Sequence, residues 1–586
     1  MSTHTFHWII GCLGLLVTTL HAQQRDSRSR TYIPPTRIVW QQDSDCIEGE
    51  ENLLKPGIGQ ADLANRNSCI LRSSATAHPA LLLDFGKELQ GGLQFVTGMP
   101  ASQKPVRIRV RLGESVSEAM CEIDGKNGAT NDHAIRDFTL SLPWLGVQEV
   151  GNSGFRFARI ELLDDSVELQ LKEVRAISTL RDIPYRGSFR SNDERLNRIW
   201  QTGAYTVHLN MQEYLWDGVK RDRLVWIGDM HPEVMTINSV FGYNEVVPKS
   251  LSLIRDITPL PGWMNGISSY SIWWLLIQRD WYYYQGDWQF LKAQQPYATE
   301  LLRHLISKVD ANGKEQLDGN RFLDWPSSEN LPAINAGLQA MMIQALRAGV
   351  ELSQLYEDEA LAQDCQAALD RSIRYAQKHP QRFPAKADEI KVGDKQAAAL
   401  LTIAGVLDPQ TANTQCLAVD GAKGFSTFYG YYMLRAMAMA GNYQGALDVI
   451  RTYWGAMLDL GATTFWEDFN MEWLPNAARI DELVPAGKKD IHGDYGAYCY
   501  QGFRHSLCHG WASGPTSWLS EFVLGVQVVE PGCRTIRITP HLGDLQWVEG
   551  SFPTPYGDIQ IRHEKEANGN IKSRIEAPKE IRIIQE

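Results

Sequence analysis

SNDERLNRIWQTGAYTVHLNMQ, Ser191–Gln212, is where the chain changes its period. Leu196, Ile199, Trp200, Ala204 and Val207 recur at steps of three and four, the spacing that puts apolar side chains on one face of a helix. Asn192 or Asp193 stands where a side-chain oxygen can cap the first turn. Upstream, from 33 to about 185, the period is two instead. LLLDFGKELQGGLQFV (81–96) alternates around Gly91-Gly92, which reads as a turn, and VRIRVRLGES (106–115) places Val106, Ile108, Val110 and Leu112 on one side. FRFARIELL and VELQLKEVRAIS continue the pattern, and short strands broken by Gly, Asn and Asp predict an antiparallel sandwich. Downstream, helical patterns follow at 233–255, 267–284, 288–309, 331–355, 358–378, 395–406, 426–440, 443–459 and 505–523. Helix after helix without intervening strands predicts a toroid of helical hairpins. After about 526 the period returns to two, in IRITP, LQWVEGSF and GDIQIRHEK. A multidomain α and β chain is therefore expected: an N-terminal jelly-roll-like β-sandwich (23–185), a helical domain (186–525) and a small C-terminal β-sandwich (526–586).

Residues 1–22 read as a secretory signal. The apolar run from Trp8 to Leu20 is too short to span a bilayer, and Ala22 is small enough for a cleavage site. Cys12 precedes the main apolar run rather than following it, which favours export to the periplasm or medium over lipidation. No other segment is long and apolar enough to cross a membrane. A net charge of −12 argues against nucleic acid and anionic membrane surfaces as partners. None of the nine cysteines has CxxC spacing, so a zinc site is not expected. Export would permit disulfides, and Cys46 with Cys69 is a candidate pair. A structural calcium is compatible with the sequence, but no motif demands one. Nothing in the sequence indicates an oligomeric state.

Chemistry concentrates in DGVKRDRLVWIGD, Asp217–Asp229. Asp217, Asp222 and Asp229 share one short stretch with Arg221 and Arg223, and Leu224, Val225, Trp226 and Ile227 draw that stretch inward. Carboxylates held near apolar surface and arginines acquire separated pKa values, which lets one acid stay protonated beside an ionised one. The plain alternative is a helix carrying a surface Asp217–Arg221 pair, worth a few tenths of a kcal/mol. A second unusual region, 461–504, is long, loop-like and rich in Trp, Asp, His, Gly and Tyr. Long structureless segments in folded domains are usually functional.

Several separated motifs resemble the bacterial α-L-rhamnosidases of glycoside hydrolase family 78. They are Asp217-x3-Arg221-Asp222-x3-Trp226-x2-Asp229, then Gly461-Ala462-Thr463-Thr464-Phe465-Trp466-Glu467, then Ser506-Leu507-Cys508-His509. Weaker matches are Asp84-Phe85-Gly86, Asp324-Trp325 and Pro553-Thr554-Pro555-Tyr556-Gly557. The resemblance implies a central (α/α)6 barrel between β-sandwiches and an inverting exo-hydrolysis of rhamnose-containing glycans without a cofactor. It makes Asp222 the general acid and Glu467 the base. Asp217 and Asp229 would hold sugar hydroxyls, with Arg221, Asp324 and His509 beside them, and Trp226, Trp325 and Trp466 would wall the apolar side of a 6-deoxy sugar. Trp263 is a weaker wall candidate. In this reading the Asp222 pKa must be raised, so Arg221 or Arg223 is expected to point at Asp217 or Asp229 instead. His492-Gly493-Asp494-Tyr495 reads as a lid or a surface turn. The chain departs from the family at Asp222, where a glutamate is usual; aspartate reaches about 1.5 Å less. Its N-terminal part also holds one clear sandwich rather than several. Two other readings stay open: the same toroid acting on another sugar or as a polysaccharide lyase, and a degenerate relative that only binds carbohydrate.

Overall fold

The computed structural model describes residues 26–585 apart from 65, 124–127, 382 and 384–388. The expected signal segment, with Cys12, lies outside the described residues.

The N-terminal domain is built on a nine-stranded sheet whose longest members are Ala80–Thr97, Val147–Leu162 and Glu168–Arg181. Ala80–Thr97 pairs antiparallel with Val147–Leu162 along both of its halves, and with Glu168–Arg181 only through the second. Gly91-Gly92 is not the turn expected from sequence. It lies inside the continuous strand at a break in register, and a Cβ on Gly91 would stand 1.9 Å from the Ile177 carbonyl oxygen. Only glycine permits that approach, so the pair bends a strand rather than ending it. Leu81, Leu83, Phe95, Ile108, Val110 and Ile160 meet in one buried core.

Glu194–Asn210 forms the first helix of the central domain, and the Asp193 carboxylate accepts from the Arg195 and Leu196 N–H groups as its cap. The sequence reading of one helix over 233–255 is corrected to two, Met230–Val240 and Val246–Asp256. Gly242, at φ 75°, turns the chain between them. The remaining helices are Ser268–Gln285, Trp288–Ser307, Leu331–Leu355, Glu359–Lys378, Asp394–Ile403, Gly430–Met439 and Tyr443–Asp459, with a one-turn piece at Pro409–Ala412. Contacts run in sequence from Met230–Val240 to Ser268–Gln285, Leu331–Leu355, Asp394–Ile403, Gly430–Met439 and the short Gly514–Trp518, which returns to Met230–Val240. The helix expected over 505–523 begins only at Gly510 and runs to Val523, as a 3-10 turn (Gly510–Ser513), the α-helical Gly514–Trp518 and a π-helical turn (Leu519–Val523), because 505–509 is drawn out straight to reach the site described below.

Two small sheets close the chain: Val526–Glu530 with Thr535–Ile538 and Arg582–Gln585, and Trp547–Thr554 with Gly557–Lys565 and Ile571–Glu576. The second sheet takes its edge strand from far away. Ser188–Ser191 pairs antiparallel with Trp547–Thr554, so residues assigned by sequence to the helical domain complete the C-terminal one. Val548, Phe552, Ile559 and Ile561 share one buried cluster with the helices. No described helix is long and apolar enough to cross a membrane. Cys46 and Cys69 carry separate thiols, so the candidate disulfide is not formed.

Candidate active site

Three chain segments are laced together by backbone at one end of the helical domain. The N–H of Glu467 donates to the Ser506 carbonyl at 3.0 Å, that of His509 to Phe465 at 2.9 Å, and that of Gly510 to Asp217 at 2.9 Å. Such strand-like pairing sends successive side chains to opposite sides. Glu467 and His509 therefore face the same cavity as Asp217. The N-terminal domain fixes the lacing from behind. Arg156 clamps Asp84 through two hydrogen bonds of 2.8 and 2.9 Å and donates to the Gly461 carbonyl at 3.0 Å, while the Glu88 N–H donates to Thr463 Oγ1 at 2.9 Å. The Asp84 motif thus positions the segment that ends in Glu467.

The cavity, about 240 Å³, is lined by Asp217, Arg221, Asp222, Trp226, Asp229, Trp325, Glu467 and His509 together with Asn265, Ile267, Tyr270, Asn320, Phe322, Cys499, Tyr500, Arg504 and Trp511. That volume is below the roughly 300–1,000 Å³ of clefts for drug-sized ligands and suits a single sugar ring. A larger groove of about 670 Å³ lies between the first helix and the C-terminal sheet, but its charged residues are paired into surface ion pairs such as Arg562–Glu549 and it gathers no catalytic set.

His509 sits at the centre of the acids. Its Nε2 is 3.5 Å from Glu467 Oε1, 3.7 Å from Asp229 Oδ2 and 3.8 Å from Asp217 Oδ2. These distances exceed hydrogen-bond length, so the ring is committed to none of the three. Burial holds its pKa well below the usual imidazole range, which keeps it neutral. The same burial pushes Asp217 up to about 7 and holds Asp229 and Glu467 well above ordinary carboxylates. Asp217 accepts the N–H groups of Asp222 at 2.8 Å and Leu224 at 2.9 Å, so it shapes its own loop. Asp229 accepts the Tyr270 hydroxyl at 2.7 Å, and Glu467 accepts the Ser506 N–H at 2.9 Å.

Asp222 stands at the mouth, its side chain 26% exposed. Trp226 Nε1 donates to its Oδ2 at 3.2 Å; Arg221 Nη2 and His133 Nε2 each lie 3.3 Å from its Oδ1. The expectation that Arg221 or Arg223 would turn to Asp217 or Asp229 is not met. Arg221 stays on Asp222, and Arg223 bonds to Asn152. The walls are aromatic. Trp226 meets Tyr270 edge-on, Trp325 meets Phe322 and Tyr500 edge-on, and Trp511 lies 4.3 Å from the His509 ring.

Residues 184–523 match the family model of the bacterial alpha-L-rhamnosidase 6 hairpin glycosidase domain. The chain belongs to the bacterial α-L-rhamnosidases. Residues 525–583 match the C-terminal domain of the same family. An alpha-L-rhamnosidase of Alteromonas sp. (strain LOR) is 22% identical over 536 residues, covering 83% of this chain and 54% of that one. The chain thus spans about half the length of that relative. Among solved structures, a glycoside hydrolase family 78 rhamnosidase of Bacillus sp. GL1 superposes with a TM-score of 0.73 at 24% identity, over 92% of this chain and 55% of that one. A rhamnosidase from Klebsiella oxytoca, solved with rhamnose bound, gives 0.66 at 20% identity, over 85% and 96%. At these identities the likeness is one of fold.

In this rhamnosidase-family chain three residues expected in the site stand elsewhere. Trp466 is buried against Phe469 and His505, because it alternates with Glu467 along an extended segment. Asp324 is buried and does not line the cavity; Ser426 Oγ donates to it at 2.8 Å and Gln396 Nε2 at 3.0 Å, so it ties its loop to the helix Asp394–Ile403 and to the turn before Gly430–Met439. Trp263 donates to Asp318 at 2.8 Å and does not line the cavity. Residues 491–493 do form a turn, with Asp494 exposed beside it, but His492 itself is fully buried between Ser115 Oγ at 2.7 Å and the His505 carbonyl at 2.9 Å. Sequence reasoning missed Tyr270, Phe322, Tyr500, Trp511 and, from the N-terminal domain, His133. Trp511 lies two residues past His509 and was within reach; the others become neighbours only through the fold. Glu114, Glu118 and His492 bring ligand-type atoms within 4.8 Å of one another. The Lys220 ammonium is already there, 3.0 and 3.2 Å from the two carboxylates, and takes the place a cation would hold.

Proposed function

We propose that this chain is an exported, inverting exo-glycosidase that releases terminal α-L-rhamnose from a glycan, in the periplasm or outside the cell. The observation that carries the reading is one monosaccharide-sized cavity with Glu467 deep inside it and Asp222 at its mouth. The closed run of contacts through six inner helices supports an (α/α)6 barrel around that cavity. In a single displacement, Asp222 gives its proton to the glycosidic oxygen as that bond breaks. Glu467 takes a proton from the water that attacks the anomeric carbon on the opposite face. One water is consumed; Glu467 then releases the proton it took up, and the proton lost by Asp222 is restored from solvent at the mouth. Asp229 and Asp217 accept hydroxyl hydrogen bonds, with neutral His509 between them, and Trp226, Phe322 and Trp325 shelter the methyl-bearing side of the ring. Carboxylates and water complete the reaction, so no cofactor is invoked.

The test is hydrolysis of an aryl α-L-rhamnoside followed by NMR. β-L-Rhamnose appearing first is expected from the parent protein. Glu467→Gln should lower kcat by about 10²- to 10⁴-fold, the usual size of general acid–base catalysis, while free rhamnose still binds. α-L-Rhamnose as the first product would overturn the inverting assignment, and full activity in Glu467→Gln would remove it as base.

A further inference from the structure

A second groove, about 530 Å³, opens beside the active-site cavity. The N-terminal domain supplies most of it: Ile135, Phe138 and Val150 give it an apolar floor, and Asp132, His133 and, from the helical domain, Arg223 form its edge. Groove and cavity adjoin where His133 of the groove faces Asp222 of the cavity. His133 Nε2 lies 3.3 Å from Asp222 Oδ1, and Arg223 is the next residue in the chain. With a rhamnose ring in the cavity and its glycosidic oxygen at Asp222, the residue on the far side of the scissile bond projects into this groove. Ile135, 53% exposed, offers a flat apolar contact for the C–H face of a second sugar.

The charge at this edge is not balanced. Arg221 and Arg504 are answered by Asp222 at 3.3 Å and Asp132 at 3.1 Å. Among the described residues no carboxylate lies within ion-pair distance of Arg223. Its guanidinium instead donates to the Asn152 carbonyl at 3.0 Å and Asn152 Oδ1 at 3.1 Å and lies over the Trp216 ring at 4.7 Å. Its burial disfavours the charged form, and nearby Arg28 adds to that, so an incoming anion would relieve both effects. A guanidinium has five N–H donors, and two are used here, so donors remain for a carboxylate.

We propose that this groove binds the leaving residue and that Arg223 selects one bearing a carboxylate, a uronic acid rather than a neutral sugar. This inference rests on the rhamnosidase reading above. The experiment measures kcat/KM for a panel of rhamnosyl-glucuronate linkage isomers, each beside its rhamnosyl-glucose counterpart, with an aryl α-L-rhamnoside as reference. At least one acid is expected to exceed its neutral partner by on the order of 10- to 100-fold, the range of a charge-assisted hydrogen bond. Arg223→Gln should bring that ratio to about one, and Arg223→Lys should restore part of it, since it keeps the charge without the bidentate geometry. Hydrolysis of the aryl rhamnoside with no acid preferred in the parent protein, or a preference that survives in Arg223→Gln, overturns the inference and leaves the activity standing. No release from any of these rhamnosides overturns the activity and the subsite with it.

Discussion

Glu467 can act as a base only when ionised, and its burial holds a proton on it above the ordinary carboxylate range. Asp217 and Asp222 add like charge in the same direction, while Arg221 and the Ser506 N–H oppose it. The acidic limb of the kcat/KM profile should therefore lie well above pH 4.5, toward the neutral range where Asp217 itself titrates near 7. The limb belongs to the coupled cluster rather than to one residue. Asp217→Asn removes a negative neighbour, so Glu467 ionises more easily. The limb should move to lower pH even as kcat/KM falls through lost contacts. A profile recorded from pH 4 to 9 checks both points; a limb at about pH 4 in the parent, or one unmoved in the variant, would contradict this account. Part of the residue scale was legible in sequence. Asp217, Asp229, Glu467 and His509 come to one cavity, as their motifs implied: the segments of Asp217, Glu467 and His509 pair backbone to backbone, and Asp229 is held at the start of the helix Met230–Val240 and by the Tyr270 hydroxyl. Asp324 and Trp466 were misplaced, since sequence adjacency does not say which way a side chain faces.

Lys220 shows what holds those segments in register. Its ammonium is buried between Glu114 and Glu118 of the N-terminal domain and donates to the carbonyls of Phe503 at 2.9 Å and His505 at 2.8 Å. Glu114 in turn accepts the Leu507 N–H at 2.7 Å. The stretch 505–509 is thereby pinned straight, where its apolar pattern alone predicted helix. Taking away one partner of a buried ion pair leaves an uncompensated charge and costs about 3–5 kcal/mol. Lys220→Met should lose stability of that order in urea titration and lower kcat as well, because the Ser506 N–H that holds Glu467 loses its support. Arg574→Ala, which removes an exposed pair with Glu576, should leave the urea midpoint in place. A midpoint equally unmoved in Lys220→Met would refute this role.

The three domains are interlocked rather than strung together. The N-terminal domain supplies His133 to the mouth of the cavity and anchors Gly461 and Lys220, while the C-terminal sheet needs Ser188–Ser191 as its edge. The helix Ser268–Gln285 also ends against the C-terminal turn, with Cys533 Sγ 3.2 Å from the Tyr284 carbonyl. A chain ended at Gly525 should therefore aggregate or elute as unfolded material in size-exclusion chromatography, since it bares an unpaired strand and part of a shared core. A soluble, active truncate would show that the helical domain stands alone. The sequence by itself determined the order of β, helical and β regions, most helix bounds and the motifs of the site, because periodicity and local capping are written within a few turns of chain. Only the tertiary structure decided that 188–191 joins a sheet about 360 residues away, that His133 meets Asp222 at the mouth and lines a neighbouring groove with Arg223, and that 505–509 is extended. Those outcomes depend on partners distant in sequence, and no local pattern encodes a distant partner.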